Sequence, residues 1–129
     1  MKYYISKKIN AGFEQAVQLV TESLKTEGFG VLTEINIHDK LKEKLEIDFR
    51  KYRILGACNP AYAYKALLEE DKIGVMLPCN VIVQDLGNNE VEVAAIDPVA
   101  SMTAIENPKV KAVATEIQQK LKKVIERLN

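Results

Sequence analysis

Tyr52-Arg53-Ile54-Leu55-Gly56-Ala57-Cys58-Asn59-Pro60 is the stretch on which the fold turns, and Leu77-Pro78-Cys79-Asn80-Val81 partly echoes it. Tyr52, Ile54, Gly56 and Cys58 fall on one side of an extended run and Arg53, Leu55 and Ala57 on the other, the period of a β-strand. Both sides are mostly apolar, so the strand is expected to be central or covered on both faces, with Gly56 marking a bulge or a close backbone approach. Asn59-Pro60 ends it: Asn is a good N-cap and Pro suits the first helical position, which predicts a helix over Ala61 to Leu68. A second strand is read from about Gly74 to Leu86, with Pro78 at an edge or bulge because it cannot donate to a ladder. Asn80 is then a polar amide among strand residues, which needs partners if it is buried.

Outward from this centre, residues 2 to 9 alternate as a first strand, and Phe13, Ala16, Val17, Val20 and Leu24 recur at helical spacing, with Asn10 as the expected N-cap and Gly28 as the expected C-cap. Phe29 to Ile37 reads as a strand whose clean alternation implies one dry face. A short charged helix is expected from His38 to Leu45, capped by His38 or Asp39, followed by a loop whose Ile47 and Phe49 tuck under the central strand. Leu86-Gly87-Asn88-Asn89 is a turn by composition, and Glu90 to Ile96 is the answering strand of a hairpin. Asp97-Pro98 and Asn107-Pro108 repeat the cap logic, opening a short helical turn and a long helix to Leu128 with a wide apolar stripe. The order is β-α-β-(short α)-β-α-β-β-α. It predicts an α+β fold in which an antiparallel or mixed sheet of about five strands carries its helices on one face.

Four separated motifs extend the reading: Phe29-Gly30-Val31-Leu32-Thr33-Glu34-Ile35, Tyr52 to Pro60, Leu77 to Val81, and Ala95-Ile96-Asp97-Pro98. In this order they resemble the bacterial and archaeal family known as domain of unknown function 302. The resemblance runs from the first strand to the last helix. It implies a compact TATA-binding-protein-like α+β fold and a homodimer, and it brings no established activity or cofactor.

The 129 residues are expected to form one domain, residues 1–129, large enough for a real core. Lys and Arg together number 18, as do Asp and Glu, so no overall field exists to hold a polyanion or an anionic membrane. No basic stripe interleaves with aromatics, and the implied fold likeness is no warrant for DNA binding; neither nucleic acid nor membrane is an expected partner. The N-terminal residues lack the apolar run of a signal peptide and no stretch approaches the roughly 20 apolar residues of a span, so the expected location is the cytoplasm. There the two cysteines are expected as free thiols.

No nucleotide-binding glycine loop, His-Glu-x-x-His or Gly-x-Ser-x-Gly occurs. Cys58 and Cys79 read either as small buried hydrophobes or as a pair at one pocket, redox-active or ligating a soft metal. His38, the sole histidine, reads as a surface or capping group without ligand spacing around it, and no metal site is assigned. Arg53, on a largely apolar strand, requires a partner: Asp97, although capping accounts for Asp97 more simply, or a carboxylate or phosphate guest. Polar recognition groups without a nucleophile and base favour binding over catalysis. The expected function is therefore a small-molecule or anion binding module with a pocket formed by Tyr52, Arg53, Cys58, Cys79, Asn80 and Asp97. The alternatives are a thiol-dependent redox or metal-binding protein using Cys58 or Cys79, and a self-association domain without ligand.

Overall fold

A computed structural model describes residues 2–129. Strands β1 (Tyr4–Asn10), β2 (Gly30–Asn36), β3 (Tyr52–Cys58), β4 (Cys79–Gly87) and β5 (Glu90–Ile96) form one sheet in the order β1-β5-β4-β3-β2, antiparallel throughout. The helices are α1 (Phe13–Thr26), α2 (Ile37–Leu45), α3 (Pro60–Glu69), the short α4 (Pro98–Ser101) and α5 (Pro108–Glu126). The α+β layout is the expected one, and the sheet is antiparallel rather than mixed.

One face of the sheet holds the core. Ile9, Leu55, Ala57, Val81, Val83, Val91, Val93 and Ala95 point toward α1 and α5, whose stripes Ala16, Val20, Leu24 and Ile117, Leu121, Val124, Ile125 close over them. A smaller cluster of Ala66, Ile73, Met102, Val110 and Ala114 fills the space under α3 and α4. The ends of α1 and α5 are tied together. Buried Ser23 donates to Val124 O at 2.8 Å, and Glu27 pairs with Arg127 at 2.6 Å. Lys7 donates to Glu126 O at 3.1 Å, placing a cation at the negative end of the α5 dipole.

Several local expectations are corrected. Asn10 does not cap α1, because it pairs with Glu90 in the ladder; Gly12 takes the cap position. At the other end, Gly28 adopts φ +86 immediately after the helix, as a glycine terminator does. The dry face expected along Phe29 to Ile37 is interrupted by a register shift between Val31 and Thr33. One inserted residue flips everything after it, so Val31 lies opposite core-facing Ala57 while Thr33 and Ile35 lie opposite Gly56 and Ile54 on the other face. The helix after β2 starts at Ile37 and neither His38 nor Asp39 caps it: Asn36 sits at the cap position and makes no side-chain cap bond, while His38 Nδ1 accepts from Tyr52 N at 3.0 Å. Ile47 and Phe49 are not tucked in; the Phe49 ring lies on the surface under the Arg50 guanidinium at 4.4 Å. The strand read from Gly74 begins only at Cys79, since Ile73–Met76 winds into a 3-10 turn and Pro78 has no N–H to offer a ladder.

Two carboxylates tie this fold to pH. Hydrogen bonds from Arg53 hold Glu14 below its ordinary 4.5, and hydrogen bonds from Arg127 do the same for Glu27. A carboxylate depressed in the folded state stabilises it above the unfolded value and loses that contribution as pH falls through the folded value. Melting temperature should therefore drop between about pH 6 and about pH 3, and a Glu14→Gln/Glu27→Gln double variant should show a shallower drop over that window. Parallel curves for parent and variant would contradict the assignment.

Candidate functional site

Among the described residues no helix lies over the face of the sheet opposite α1 and α5. Strand alternation sends Asn80, Ile82 and Gln84 of β4, Glu92, Ala94 and Ile96 of β5, and Tyr52 of β3 to this side, since their neighbours in sequence face the core. The ladder sets them side by side: Tyr52 opposite Gln84, Gln84 opposite Glu92, Ile82 opposite Ala94, and Tyr4 opposite Ile96. Tyr3 and Tyr4 close one end, with their rings edge to face at 5.1 Å. Around the single methyl of Ala94 these larger groups leave a depression of about 390 Å³. A polar relay stands on its rim. Arg50 Nε donates to Gln84 Oε1 at 2.9 Å, and Gln84 Nε2 donates to Glu92 Oε1 at 3.1 Å.

Of the six residues proposed from sequence, only Tyr52 and Asn80 reach this depression, and Asn80 is exposed rather than buried. Arg53 projects to the opposite face. Its Nη1 and Nη2 donate to the two oxygens of Glu14 at 2.9 Å each, its Nε donates to Asn36 Oδ1 at 2.6 Å, and its guanidinium lies 5.2 Å from the Phe13 ring centre. The guanidinium fork is thus occupied by Glu14 and Asn36, and Asp97 is not its partner. Asp97 caps α4, accepting from Val99 N at 3.0 Å, and receives Gln118 Nε2 from α5 at 3.0 Å. Asn59 stands before Pro60 as expected, but its amide is used differently, Nδ2 donating to Glu27 O at 3.0 Å.

Cys58 and Cys79 share a crevice under α3 and α5 of about 20 Å³, walled by Phe29, Tyr62, Leu77 and Ile117. That is room for about one water. Burial pushes the Cys79 thiol up to about 11, with the charge of a neighbouring Cys58 thiolate acting the same way, the direction opposite to an activated nucleophile. Cys79 should resist a soluble thiol reagent in the native protein and react only on unfolding; rapid native-state labelling of Cys79, read by peptide mass, would overturn this. Among the described residues no three His, Cys, Asp or Glu side chains converge as a metal site requires.

Sequence reasoning missed Tyr3, Tyr4, Ile82, Gln84, Glu92, Ala94 and Ile96. One signal was present: on the hairpin, Ile82, Ala94 and Ile96 stand apolar at the positions where a solvated strand face alternates to polar residues.

These features define a class of protein: a two-layer α+β domain with helices on one side of an antiparallel sheet and an amphipathic depression on the other. The chain belongs to the family described as "Domain of unknown function DUF302", whose model matches residues 5–128. It is also similar to a solved structure described as an uncharacterized conserved protein DUF302 from Bacillus stearothermophilus, with 29% identity, a TM-score of 0.91 and coverage of 100% of both chains. No curated protein matches the chain. The resemblance carried by the four motifs is the correct one. Among the described residues no helix is long and apolar enough to cross a membrane.

Proposed function

We propose that this chain is a small-molecule binding module whose site is the depression on the uncovered face of the sheet. The observation that supports it is the make-up of that face: an apolar floor of Ile82, Ala94 and Ile96, ringed by Tyr52, Asn80, Gln84 and Glu92, groups able to orient a guest. The depression, at about 390 Å³, falls within the usual range of ligand sites. Glu92 argues against an anion in it. The thiol-dependent alternative has less support, because the crevice that both cysteines line has room for about one water and Cys79, which also lines a second hollow of about 180 Å³, is held protonated. The cytoplasm is the proposed location, where the two cysteines would remain free thiols.

The test is ligand mapping by backbone-amide NMR with a metabolite library, on the parent and on Ala94→Phe, which fills the depression from a solvent-facing strand position. Binders should shift amides of β4 and β5 in the parent and lose that effect in the variant. Binders that shift only amides around α3, or are indifferent to Ala94→Phe, would move the site elsewhere.

Self-association has an observation of its own. Edge strand β2 exposes Leu32 at 67% and Ile35 at 42% beside the uncovered face. An edge that offers both unpaired backbone and apolar side chains is one that proteins ordinarily blunt, and a second copy of the chain would cover it. The proposed homodimer should weaken on Leu32→Lys in sedimentation; a parent that sediments as a monomer at high concentration would remove it.

A further inference from the structure

We infer that the depression takes an organic cation, a primary or methylated amine with an apolar arm. This inference rests on the binding reading above and adds the chemical class. The one formally charged group in the lining is Glu92; the nearby cations stand outside it, Arg50 on the rim, Lys8 opposite Glu92 in the β1–β5 ladder and Lys2 at the Tyr4 ring. Its remaining polar groups are the amides of Asn80 and Gln84, and three tyrosine rings stand around it. Tyr52, across Gln84 from Glu92 in the ladder, is the ring nearest the carboxylate, while Tyr3 and Tyr4 stand at the Ile96 end. A ring and a carboxylate at one site favour an ammonium, because the ring quadrupole and the carboxylate attract the same charge.

The molecule already shows one of these rings accepting such a charge: Lys2 Nζ stands 5.8 Å from the centre of the Tyr4 ring. Tyr3 meets Tyr4 at an interplanar angle of 74°, so the two rings form a corner rather than a stack. Glu92 is also oriented. Gln84, itself held by Arg50, donates to Glu92 Oε1, leaving Oε2 without a donor among the described residues. The apolar arm has Ile82 and the Ala94 methyl to lie on.

The probes are phenyltrimethylammonium, its uncharged isostere tert-butylbenzene, and benzoate, titrated against the labelled full chain with the amides of Tyr4, Tyr52, Ile82 and Ala94 as reporters. The cation should shift these amides saturably and bind at least about tenfold more tightly than either other probe. Glu92→Gln, which keeps an acceptor for Gln84, should weaken it about tenfold while leaving the spectrum folded. Tyr52→Leu should weaken it as well and supplies an independent check on the ring contribution. Equal binding of tert-butylbenzene, or preference for benzoate, would overturn the cation class while leaving the depression a binding site. If all three probes leave the reporters unmoved while library metabolites shift them, the cation is likewise rejected; if nothing shifts them, both readings fall together.

Discussion

Gly56→Ala should destabilise the protein by about 1–3 kcal/mol and Gly56→Val by more, although neither adds a polar group or an unusual backbone angle. A Cβ built at Gly56 stands 2.1 Å from Thr33 Oγ1 and 2.8 Å from Pro78 Cγ. The first contact is the end of a side chain that can turn away. The second is a ring atom next to the start of β4 and cannot. Gly56 is buried in β3 with β2 on one side and β4 on the other, so the strand has little freedom to back off. Alanine would restrict the unfolded chain and return about 0.4–1 kcal/mol, less than the overlap costs. The two contacts can be separated. Thr33 is exposed, so Thr33→Ala alone should change stability by no more than about 0.5 kcal/mol, whereas Thr33→Ala/Gly56→Ala should recover part of the alanine penalty through a coupling above about 0.5 kcal/mol. Urea midpoints for the four proteins close the cycle. An alanine variant within about 0.5 kcal/mol of the parent would mean that neighbouring strands yield far more easily than their packing implies.

That close approach was legible in the sequence, because an apolar strand carries a glycine chiefly where it bulges or where another group comes up against its backbone. Punctuation was legible too: Pro60, Pro98 and Pro108 each sit at the first turn of a helix, and Asn88-Asn89 turn the β4–β5 hairpin with positive φ at both. These features are decided within a few residues of themselves. The face of β3 was also decided locally, since alternation alone separates Tyr52 from Arg53.

What alternation could not supply was what lies across each face. The two apolar sides of β3 suggested cover on both, but only one side has helices; the apolar residues of the other belong to the depression and its surroundings. Arg53 needed a partner, and the partner, Glu14, lies 39 positions earlier on α1, reached only once that helix crosses the sheet. The depression itself depends on β1 pairing with β5 at the far end of the chain, which carries Tyr4 to Ile96. No local pattern encodes that pairing. In β2 the reading failed for a different reason, because one bulged residue reverses the phase of every side chain beyond it and leaves composition unchanged.

The second large effect concerns the covered face. Leu121 is 0% exposed in the middle of α5, within the cluster that joins the sheet to α1 and α5, whereas Leu68 of α3 is 67% exposed. The same deletion at the two sites should therefore separate widely. Leu121→Ala should cost about 2–5 kcal/mol, the lost transfer energy plus a cavity that surrounding β-strands cannot collapse into. Leu68→Ala should stay within about 0.5 kcal/mol, because its side chain gives up little contact. Against a total of about 5–15 kcal/mol for a domain, the first is a large share and the second is not. Neither substitution touches the depression, so Leu121→Ala, studied where it remains folded, should bind ligands as the parent does. That outcome follows from the two-layer layout: stability is concentrated between sheet and helices, and the opposite face is free to carry tyrosines and a carboxylate at little cost to the fold. Matching penalties for the two leucines would mean that α5 does not pack across the sheet as described, and a ligand affinity that fell with Leu121→Ala would mean that the two faces are not independent.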